Sequence, residues 1–208
     1  MDIQFYGANC IVLSGKHARV VVDDNLTALG GKTVAKEGDI ALFTGAHADP
    51  THTAKIVIAQ PGEFEVSGIS IYGIPARAHI DEEGQKNATI YKLLFEDMNV
   101  LIVGHVYPEL SDTQLESIGM IDVMLVPVGG NGYTLDGIGA LKLIKKIEPK
   151  IIIPTHYDDG SLSYPVPQQT LAAGLVALAM EPKETLTKLK LKPLDLTDAA
   201  QLIVLEKS

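Results

Sequence analysis

The chain has few of the features that mark secreted, membrane-spanning or nucleic-acid-binding proteins. Its one cysteine, Cys10, excludes an intramolecular disulfide and any metal site built on several cysteines. No apolar run approaches the roughly 20 residues that span a membrane, and the N-terminus lacks the basic-then-apolar pattern of a signal peptide. Basic residues are few, 17 Lys and Arg against 26 Asp and Glu, and the net charge of −9 disfavours binding to nucleic acid or anionic membranes. We therefore expect a soluble cytoplasmic protein.

The composition and the pattern of apolar runs predict one domain of mixed structure. The chain has 208 residues, 46% hydrophobic and 21% charged, which is enough for a substantial core. The first half consists of short apolar runs separated by turn residues, which predicts strands. The second half alternates strands with helical patterns, the clearest of them over residues 136–148. We predict a single α+β domain over residues 1–208, with packed sheets and outer helices.

Four local patterns carry their own predictions. Ser111 followed by Gln114 is a capping box that begins a helix. Residues 168–180 are rich in Ala and Leu, which predicts another helix. Residues 185–191 alternate Leu with Lys or Thr, which predicts one half-exposed strand. Glu63 and Glu65 would face the same way on a strand, with an exposed edge as the alternative to a functional pair.

The histidines point to the chemistry of the chain. Five of the six follow apolar runs: His47, His52, His79, His105 and His156. Residues at the C-terminal ends of strands meet at one rim of a sheet, where sites form. Imidazole is the commonest metal ligand, and Asp49 adds a carboxylate two residues after His47. This set predicts a metal centre that suits Zn²⁺ and tolerates Mn²⁺, and such a centre activates water. For any single histidine the alternative is a hydrogen-bonded surface residue, and His17 is interpreted that way.

Two further positions are candidates for contact with a substrate. Arg77, close to His79, is suited to a carboxylate or phosphate. Gly130 lies in a glycine-rich run at 129–132 that can offer backbone N–H groups to an anion. A plain tight turn is the alternative for this run, and Asp136 after it is interpreted as a helix cap.

Several stretches of the chain together have the form of a known superfamily. They are residues 6–10 (Tyr-Gly-Ala-Asn-Cys), 20–23 (Val-Val-Val-Asp), 61–66, 73–79, 126–130, 134–136 and 149–157. In these stretches the chain resembles the metallo-β-lactamase superfamily, in particular the short cytoplasmic metal-dependent hydrolases related to the L-ascorbate 6-phosphate lactonases. The resemblance implies a four-layer αββα sandwich with a metal site at the edge where the two sheets meet. It also implies that Asp23 supports the site by orienting the loop that carries His47 through hydrogen bonds.

The ligand motif of the superfamily is altered in this chain. Its Thr-His-x-His-x-Asp-His pattern corresponds to residues 44–50, which read Thr-Gly-Ala-His-Ala-Asp-Pro. Gly45 and Pro50 therefore replace two ligands, and His52 is a further candidate close to the site. The resemblance implies metal ligands at His47, Asp49, His79 and His156, and His105 is a further candidate ligand at the position of an expected aspartate. Because His105 stands where a bridging aspartate is expected, two adjacent cations would lack a shared anion, and we expect one metal ion per chain, with Zn²⁺ favoured.

Two functions from different classes remain as hypotheses. The first is a single-metal hydrolase of a small ester, lactone or phosphoester, in which Asp49 orients water and accepts its proton. The second is a metal-free binding or assembly module that keeps the fold and has lost catalysis. A nuclease is disfavoured by the net charge. The expected partner is a small-molecule substrate, with no nucleic acid and no membrane, and a homo-oligomer is left open.

Overall fold

The computed structural model describes residues 1–45 and 54–208, and in those residues the chain forms fourteen strands and three α-helices. The strands are β1 Asp2–Gly7, β2 Cys10–Ser14, β3 Arg19–Val22, β4 Ile40–Leu42, β5 Ile56–Ile58, β6 Gly62–Val66, β7 Ile69–Ala76, β8 Ala88–Phe95, β9 Met98–Ile102, β10 Val123–Pro127, β11 Ile151–Thr155, β12 Glu184–Leu186, β13 Leu189–Lys190 and β14 Gln201–Leu205. The helices are α1 Asp112–Ile118, α2 Gly137–Ile147 and α3 Leu171–Leu178. None of the helices in the described ranges has the length and apolar character needed to cross a membrane.

The strands form two sheets, and one sheet edge collects several strand ends. Within the described residues one sheet has six strands in the order β13–β1–β2–β3–β4–β5, and the other has eight in the order β12–β14–β11–β10–β9–β8–β7–β6. β9, β10 and β11 are parallel, and α1 and α2 connect them, because parallel neighbours need a crossover. β7 runs in the same direction, since it is antiparallel to β8 and β8 is antiparallel to β9. The C-terminal ends of these four strands therefore lie at one rim.

Apolar side chains of both sheets form the main core, and strand alternation divides β2 between two apolar clusters. Ile11 and Leu13 join the main core, whereas Cys10 and Val12 pack with Leu162 in a smaller cluster on the other face. In the described part of the chain, the short 3₁₀ turn Leu26–Leu29 also contributes to this smaller cluster. The α+β architecture predicted from the sequence, with two packed sheets and helices, is confirmed.

The helix starts follow the sequence patterns closely. Ser111 accepts a hydrogen bond from the Gln114 backbone N–H, and the Gln114 side chain accepts one from the Ser111 N–H at 2.9 Å. Asp136 caps α2 by accepting from the Gly139 N–H at 2.7 Å. α3 begins later than the predicted 168–180, because Thr170 caps it and residues before the cap are not helical.

The prediction of one strand over residues 185–191 was wrong. The segment divides between the sheets: β12 pairs with β14 in the eight-stranded sheet, and β13 pairs with β1 in the six-stranded sheet. The alternating pattern is the same for one strand or for two. The edge strands available for pairing therefore decide how the segment divides. At the opposite end of the larger sheet, Glu63 and Glu65 are exposed on the edge strand β6, which supports the exposed-edge alternative.

Candidate functional site

Two of the predicted ligands, His79 and His105, follow β7 and β9 at the shared rim. The loops after these strands pair with each other: the His79 N–H donates to the His105 carbonyl at 2.8 Å, and Ala78 forms a bridge with Val106. The strand directions bring the two loops together although 26 positions of sequence separate the histidines. The strand-end prediction for these two residues therefore has a direct physical basis.

His79 and His105 each have a buried ring nitrogen that has no hydrogen-bond partner among residues 1–45 and 54–208. The atoms are Nδ1 of His79 and Nε2 of His105. Both residues line a cavity of about 220 Å³, here called the histidine cavity, together with Asp23, Gly45, Ile80 and Tyr133. Burial, reinforced by the neighbouring His79, lowers the pKa of His105 to about 4, so its ring is neutral at pH 7. Neutral imidazoles with a free lone pair are the form of histidine that binds metal ions.

His156 follows β11 and lies against His105. Their ring centroids are 4.7 Å apart in an edge-to-face arrangement. The backbone of His156 has φ 55°, a left-handed conformation, and its N–H donates to the Ala8 carbonyl at 2.6 Å. The His156 carbonyl oxygen lies directly against Gly129. A Cβ at position 129 would be 2.0 Å from this oxygen, so only glycine fits there. A strained conformation held by surrounding contacts is typical of functional sites.

Gln168 fixes which nitrogen of His156 carries the hydrogen. Gln168 Nε2 donates to the Val166 carbonyl at 2.6 Å, so Oε1 faces His156 Nδ1 at 3.2 Å. An amide oxygen only accepts, so Nδ1 carries the hydrogen. Burial, together with the adjacent His105, lowers the pKa of His156 to about 3 against the opposing effects of Gln168 and Asp23. The ring is therefore neutral, and Nε2 keeps the lone pair that a metal ion or a proton requires.

Asp23 is connected through Asn9 to the eight-stranded sheet by buried hydrogen bonds. Its carboxylate accepts from the Thr44 N–H at 2.7 Å, from the Thr44 hydroxyl at 2.6 Å and from Asn9 Nδ2 at 2.6 Å. Asn9 Oδ1 in turn accepts from the Thr155 hydroxyl at 2.6 Å, next to His156. Burial raises the pKa of Asp23, and the donors from Thr44 and Asn9 oppose that rise. The supporting role predicted for Asp23 is consistent with this chain of contacts.

A second cavity lies beside the histidine cavity. It has a volume of about 250 Å³ and is called here the tyrosine cavity, since Tyr133, Tyr164 and His156 line it together with Ala28, Leu29 and Val166. Tyr133 lies edge-on to His105 at 5.4 Å and 5.8 Å from His156, and Tyr164 lies 5.4 Å from His156. Asp23, Asn25, His105 and Tyr133 line both cavities, so the two are contiguous in the described structure.

The other predicted ligands lie outside the described residues. His47, Asp49 and His52 belong to residues 46–53, which follow Gly45 at the wall of the histidine cavity. Among residues 1–45 and 54–208, no group of three or more His, Cys, Asp and Glu side chains is arranged to hold a metal ion. A site of three or more such ligands at this rim therefore requires a donor from residues 46–53.

The two predicted substrate contacts are already engaged within the protein. Arg77 Nε and Nη2 donate to the Asp81 carbonyl at 3.1 and 2.8 Å, and the guanidinium lies 4.0 Å from the centre of the Tyr107 ring. The Gly130 N–H donates to the Leu135 carbonyl at 3.0 Å, so the glycine-rich turn does not offer this N–H to an anion. These contacts favour the tight-turn alternative for Gly130 and a local structural role for Arg77, and contact of either residue with a substrate stays a prediction.

Four residues of the site carry little signal in the sequence. Asn9 reads as a turn residue, Gln168 as the start of a helix, and Tyr133 and Tyr164 as loop aromatics. A buried polar residue between two strands is a clue for Asn9, since burial requires a hydrogen-bond partner. Only the fold brings the two tyrosines and Gln168 to His156.

Comparison with known proteins agrees with this architecture. Residues 2–156 match the family model described as "Beta-lactamase superfamily domain". A protein of Thermoplasma volcanium named UPF0173 metal-dependent hydrolase is 28% identical over 88% of this chain and 97% of its own length, and a Thermococcus onnurineus protein of the same name is 26% identical over 76% and 85%. A solved Thermotoga maritima structure, described as a candidate Zn-dependent hydrolase of the metallo-beta-lactamase superfamily, is 24% identical, covers 99% of both chains and has a TM-score of 0.76. The chain therefore belongs to the beta-lactamase superfamily and has its metallo-β-lactamase-type fold.

Proposed function

We propose that the chain is a metal-dependent hydrolase that uses one divalent metal ion, Zn²⁺ by preference, to hydrolyse a small ester, lactone or phosphoester. The relatives named above as metal-dependent hydrolases support the reaction class. The superfamily match over residues 2–156 supports the same class of chemistry at the strand ends. Mn²⁺ is the alternative metal, because imidazole and carboxylate ligands accept both.

The observation that carries the proposal is the pair of unpartnered ring nitrogens. Within the described residues, His79 Nδ1 and His105 Nε2 are buried without hydrogen bonds, and both residues line the histidine cavity. A buried polar atom without a partner costs about 1–3 kcal/mol, so two at one site need an explanation. Coordination of a cation satisfies both nitrogens. The residues present therefore fit a metal ion in their chemistry.

The ligand set we propose contains more nitrogen than oxygen. His79, His105 and His156 come from the rim, and His47 and Asp49 come from residues 46–53, which begin beside the histidine cavity. His105 replaces the carboxylate that would bridge two cations, and Gly45 and Pro50 carry no donor side chains. These replacements support a single ion rather than a pair, and imidazole-rich ligation favours Zn²⁺ over Mg²⁺.

The chain's own groups divide the remaining work. A bound cation supplies the acidity that makes water a nucleophile near neutral pH. Asp49, the carboxylate of the proposed ligand set, accepts the proton of that water. Asp23 positions Thr44, and through it the start of the segment that carries His47 and Asp49. Gln168 holds His156 in the tautomer with a free Nε2. The two contiguous cavities receive a small substrate.

Metal content tests the proposal against a metal-free binding module. The purified protein is dialysed against a weak chelator, analysed for metals and melted with and without added Zn²⁺. We expect about one zinc per chain and a higher melting temperature with Zn²⁺, because a ligand of the folded state stabilises it. His105→Asn should lose most of the zinc, while His17→Asn, at an exposed position in the described structure, should retain it.

Two results would contradict the proposal. One is a protein without metal whose melting temperature does not respond to Zn²⁺ or Mn²⁺, which would favour the binding or assembly module. The other is equal zinc content in the His105→Asn and His17→Asn variants. Chelator-sensitive hydrolysis of 4-nitrophenyl esters or 4-nitrophenyl phosphate is the activity readout, and activity that survives complete metal removal would also contradict it.

A further inference from the structure

The tyrosine cavity is the part of the site that the proposed mechanism does not use. Its lining consists mainly of apolar and aromatic groups, among them Ala28, Leu29, Tyr133, Tyr164 and Val166. The Tyr164 hydroxyl is engaged away from a ligand, since it donates to the Tyr157 carbonyl and accepts from the Ala8 N–H, each at 3.2 Å. The volume of about 250 Å³ is below the 300–1,000 Å³ of pockets for drug-sized ligands. The cavity therefore suits a small apolar group.

The charges around both cavities disfavour an anionic substituent. No Lys or Arg lines either cavity in residues 1–45 and 54–208. The remaining segment, residues 46–53, reads Ala-His-Ala-Asp-Pro-Thr-His-Thr and contains neither Lys nor Arg. Asp23 borders both cavities, Asp81 borders the histidine cavity, and the chain carries a net charge of −9. Arg77 precedes His79 by two positions, but its guanidinium donates to the Asp81 carbonyl and lies over the Tyr107 ring.

We infer that the substrate is an uncharged ester or lactone whose apolar substituent lies in the tyrosine cavity, and that phosphoesters and substrates with a carboxylate or phosphate tail are disfavoured. The inference rests on the proposed function and narrows its substrate class. Hydrolysis of such an ester joins a water oxygen to the acyl carbon and breaks the bond from that carbon to the alkoxy oxygen, which leaves with a proton. The reaction needs no reactant other than water.

An alternative position for an anion is another depression, of about 300 Å³, whose lining also includes His79. Lys142, Asn131 and Gly132 line it. Asp136 lies in the same depression and its carboxylate caps α2, so the depression is not uniformly positive. A substrate with an anionic tail directed there is the competing outcome in the experiments below.

Binding to the metal-free protein tests the inference without activity. Benzyl alcohol and benzoate have similar size and differ in charge, and their dissociation constants are measured from the shifts of the Val166 and Gln168 amide signals in NMR titrations of chelator-treated protein. We expect benzyl alcohol to bind at least tenfold more tightly, because no Lys or Arg among the described residues lines the cavity to compensate a carboxylate. Equal or tighter binding of benzoate would overturn the inference, whatever the activity of the loaded enzyme.

A pair of neighbouring substitutions locates the bound group. Ala28 lines the tyrosine cavity and is exposed, so Ala28→Phe fills part of the cavity without entering the core. Thr27, in the same turn and also exposed, does not line it. We expect Ala28→Phe to weaken benzyl alcohol binding at least fivefold and Thr27→Phe to leave it unchanged. An equal effect of the two variants, or none from Ala28→Phe, would place the ligand elsewhere and overturn the inference.

Turnover by the zinc-loaded enzyme separates the inference from the proposed function. 4-Nitrophenyl butyrate, 4-nitrophenyl hemisuccinate and 4-nitrophenyl phosphate share a leaving group and differ in charge. We expect kcat/KM to be at least tenfold higher for butyrate than for hemisuccinate, with phosphate lowest. Leu29→Arg, in the cavity wall, should reduce this ratio, while Val176→Arg, exposed on α3, should not. Zinc-dependent turnover that favours an anionic substrate overturns the inference alone, whereas the absence of zinc-dependent turnover of any substrate counts against the proposed function.

Discussion

The carboxylate of Asp23 accepts hydrogen bonds from both the hydroxyl and the backbone N–H of Thr44, at 2.6 and 2.7 Å. Asp23 follows β3 and Thr44 follows β4, two parallel neighbours in the six-stranded sheet. The pair therefore fixes the point from which the chain continues to Gly45 and to residues 46–53. Any ligand that this segment supplies depends on the position of its first residues.

Removal of the Asp23 charge should weaken both stability and metal binding. We expect Asp23→Asn to lower the free energy of unfolding by about 2 kcal/mol, because the amide cannot accept all the buried donors of Thr44 and Asn9. Zinc affinity should fall by about tenfold, as is typical when a residue that orients a metal ligand is changed. Urea unfolding and competition with a zinc chelator measure the two effects. Asp97→Asn, in the exposed β8–β9 turn, is the charge-matched control, and an Asp23→Asn protein that behaves like it would contradict the prediction.

Gly104 should tolerate no side chain, since it sits directly against Thr44. Its φ is +67°, and a Cβ would lie 2.3 Å from Cβ and Oγ1 of Thr44. Gly84→Ala is a close control, because its φ is +92° and no atom lies within 4 Å of the added Cβ. We expect Gly84→Ala to cost about 1–2 kcal/mol from the left-handed backbone alone, and Gly104→Ala to cost about 1–3 kcal/mol more from overpacking. The midpoints of urea unfolding compare the two variants. Equal midpoints would show that the contact between position 104 and Thr44 does not limit the side chain there.

The tautomer of His156 should depend on Gln168. In the metal-free protein we expect ¹⁵N NMR to find the hydrogen on Nδ1 and a lone pair on Nε2, because Gln168 Oε1 only accepts. Gln168→Leu should remove this preference and lower zinc affinity by about tenfold. The exposed ring of His17 provides an internal reference in the same spectra. A wild-type spectrum with the hydrogen on Nε2 would contradict the assignment.

The metal-free protein should lose stability as the pH falls from about 6.5 toward 4. The unfolded chain binds protons at both imidazoles below about pH 6.5, whereas the folded chain holds the pKa of His105 at about 4 and that of His156 at about 3, mainly through burial. The unfolded state therefore binds more protons in this window, and stability decreases with falling pH. Burial raises the pKa of Asp23, which opposes the loss at the acid end. Urea unfolding midpoints are measured at pH 7, 6 and 5. They should decrease less steeply with falling pH in His105→Asn than in His17→Asn. Parallel decreases in the two variants would contradict the contribution of His105.

Local sequence rules predicted the elements that depend on local interactions. The Ser111 capping box and the Asp136 cap are set by side chains within three residues of the groups they bind. The single strand predicted over residues 185–191 was wrong because pairing partners from distant parts of the chain, β14 and β1, divide it between two sheets. Alternation of apolar and polar side chains indicates that a segment is extended, but it does not indicate which strand pairs with it.

By itself, the sequence determined the mixture of strands and helices and the position of His79, His105 and His156 after apolar runs, because both follow from the order of consecutive residues. The superfamily followed from the resemblance of several separate stretches to known members, and the family match over residues 2–156 confirmed it. The tertiary structure alone decided that His79 and His105, each with a buried ring nitrogen that has no partner among the described residues, line one cavity. It also decided that Gln168 orients His156 and that Asn9, bonded to Asp23, joins the two sheets through Thr155. These contacts connect groups separated by as many as 146 positions, and their hydrogen bonds exist only after the sheets have packed and excluded water.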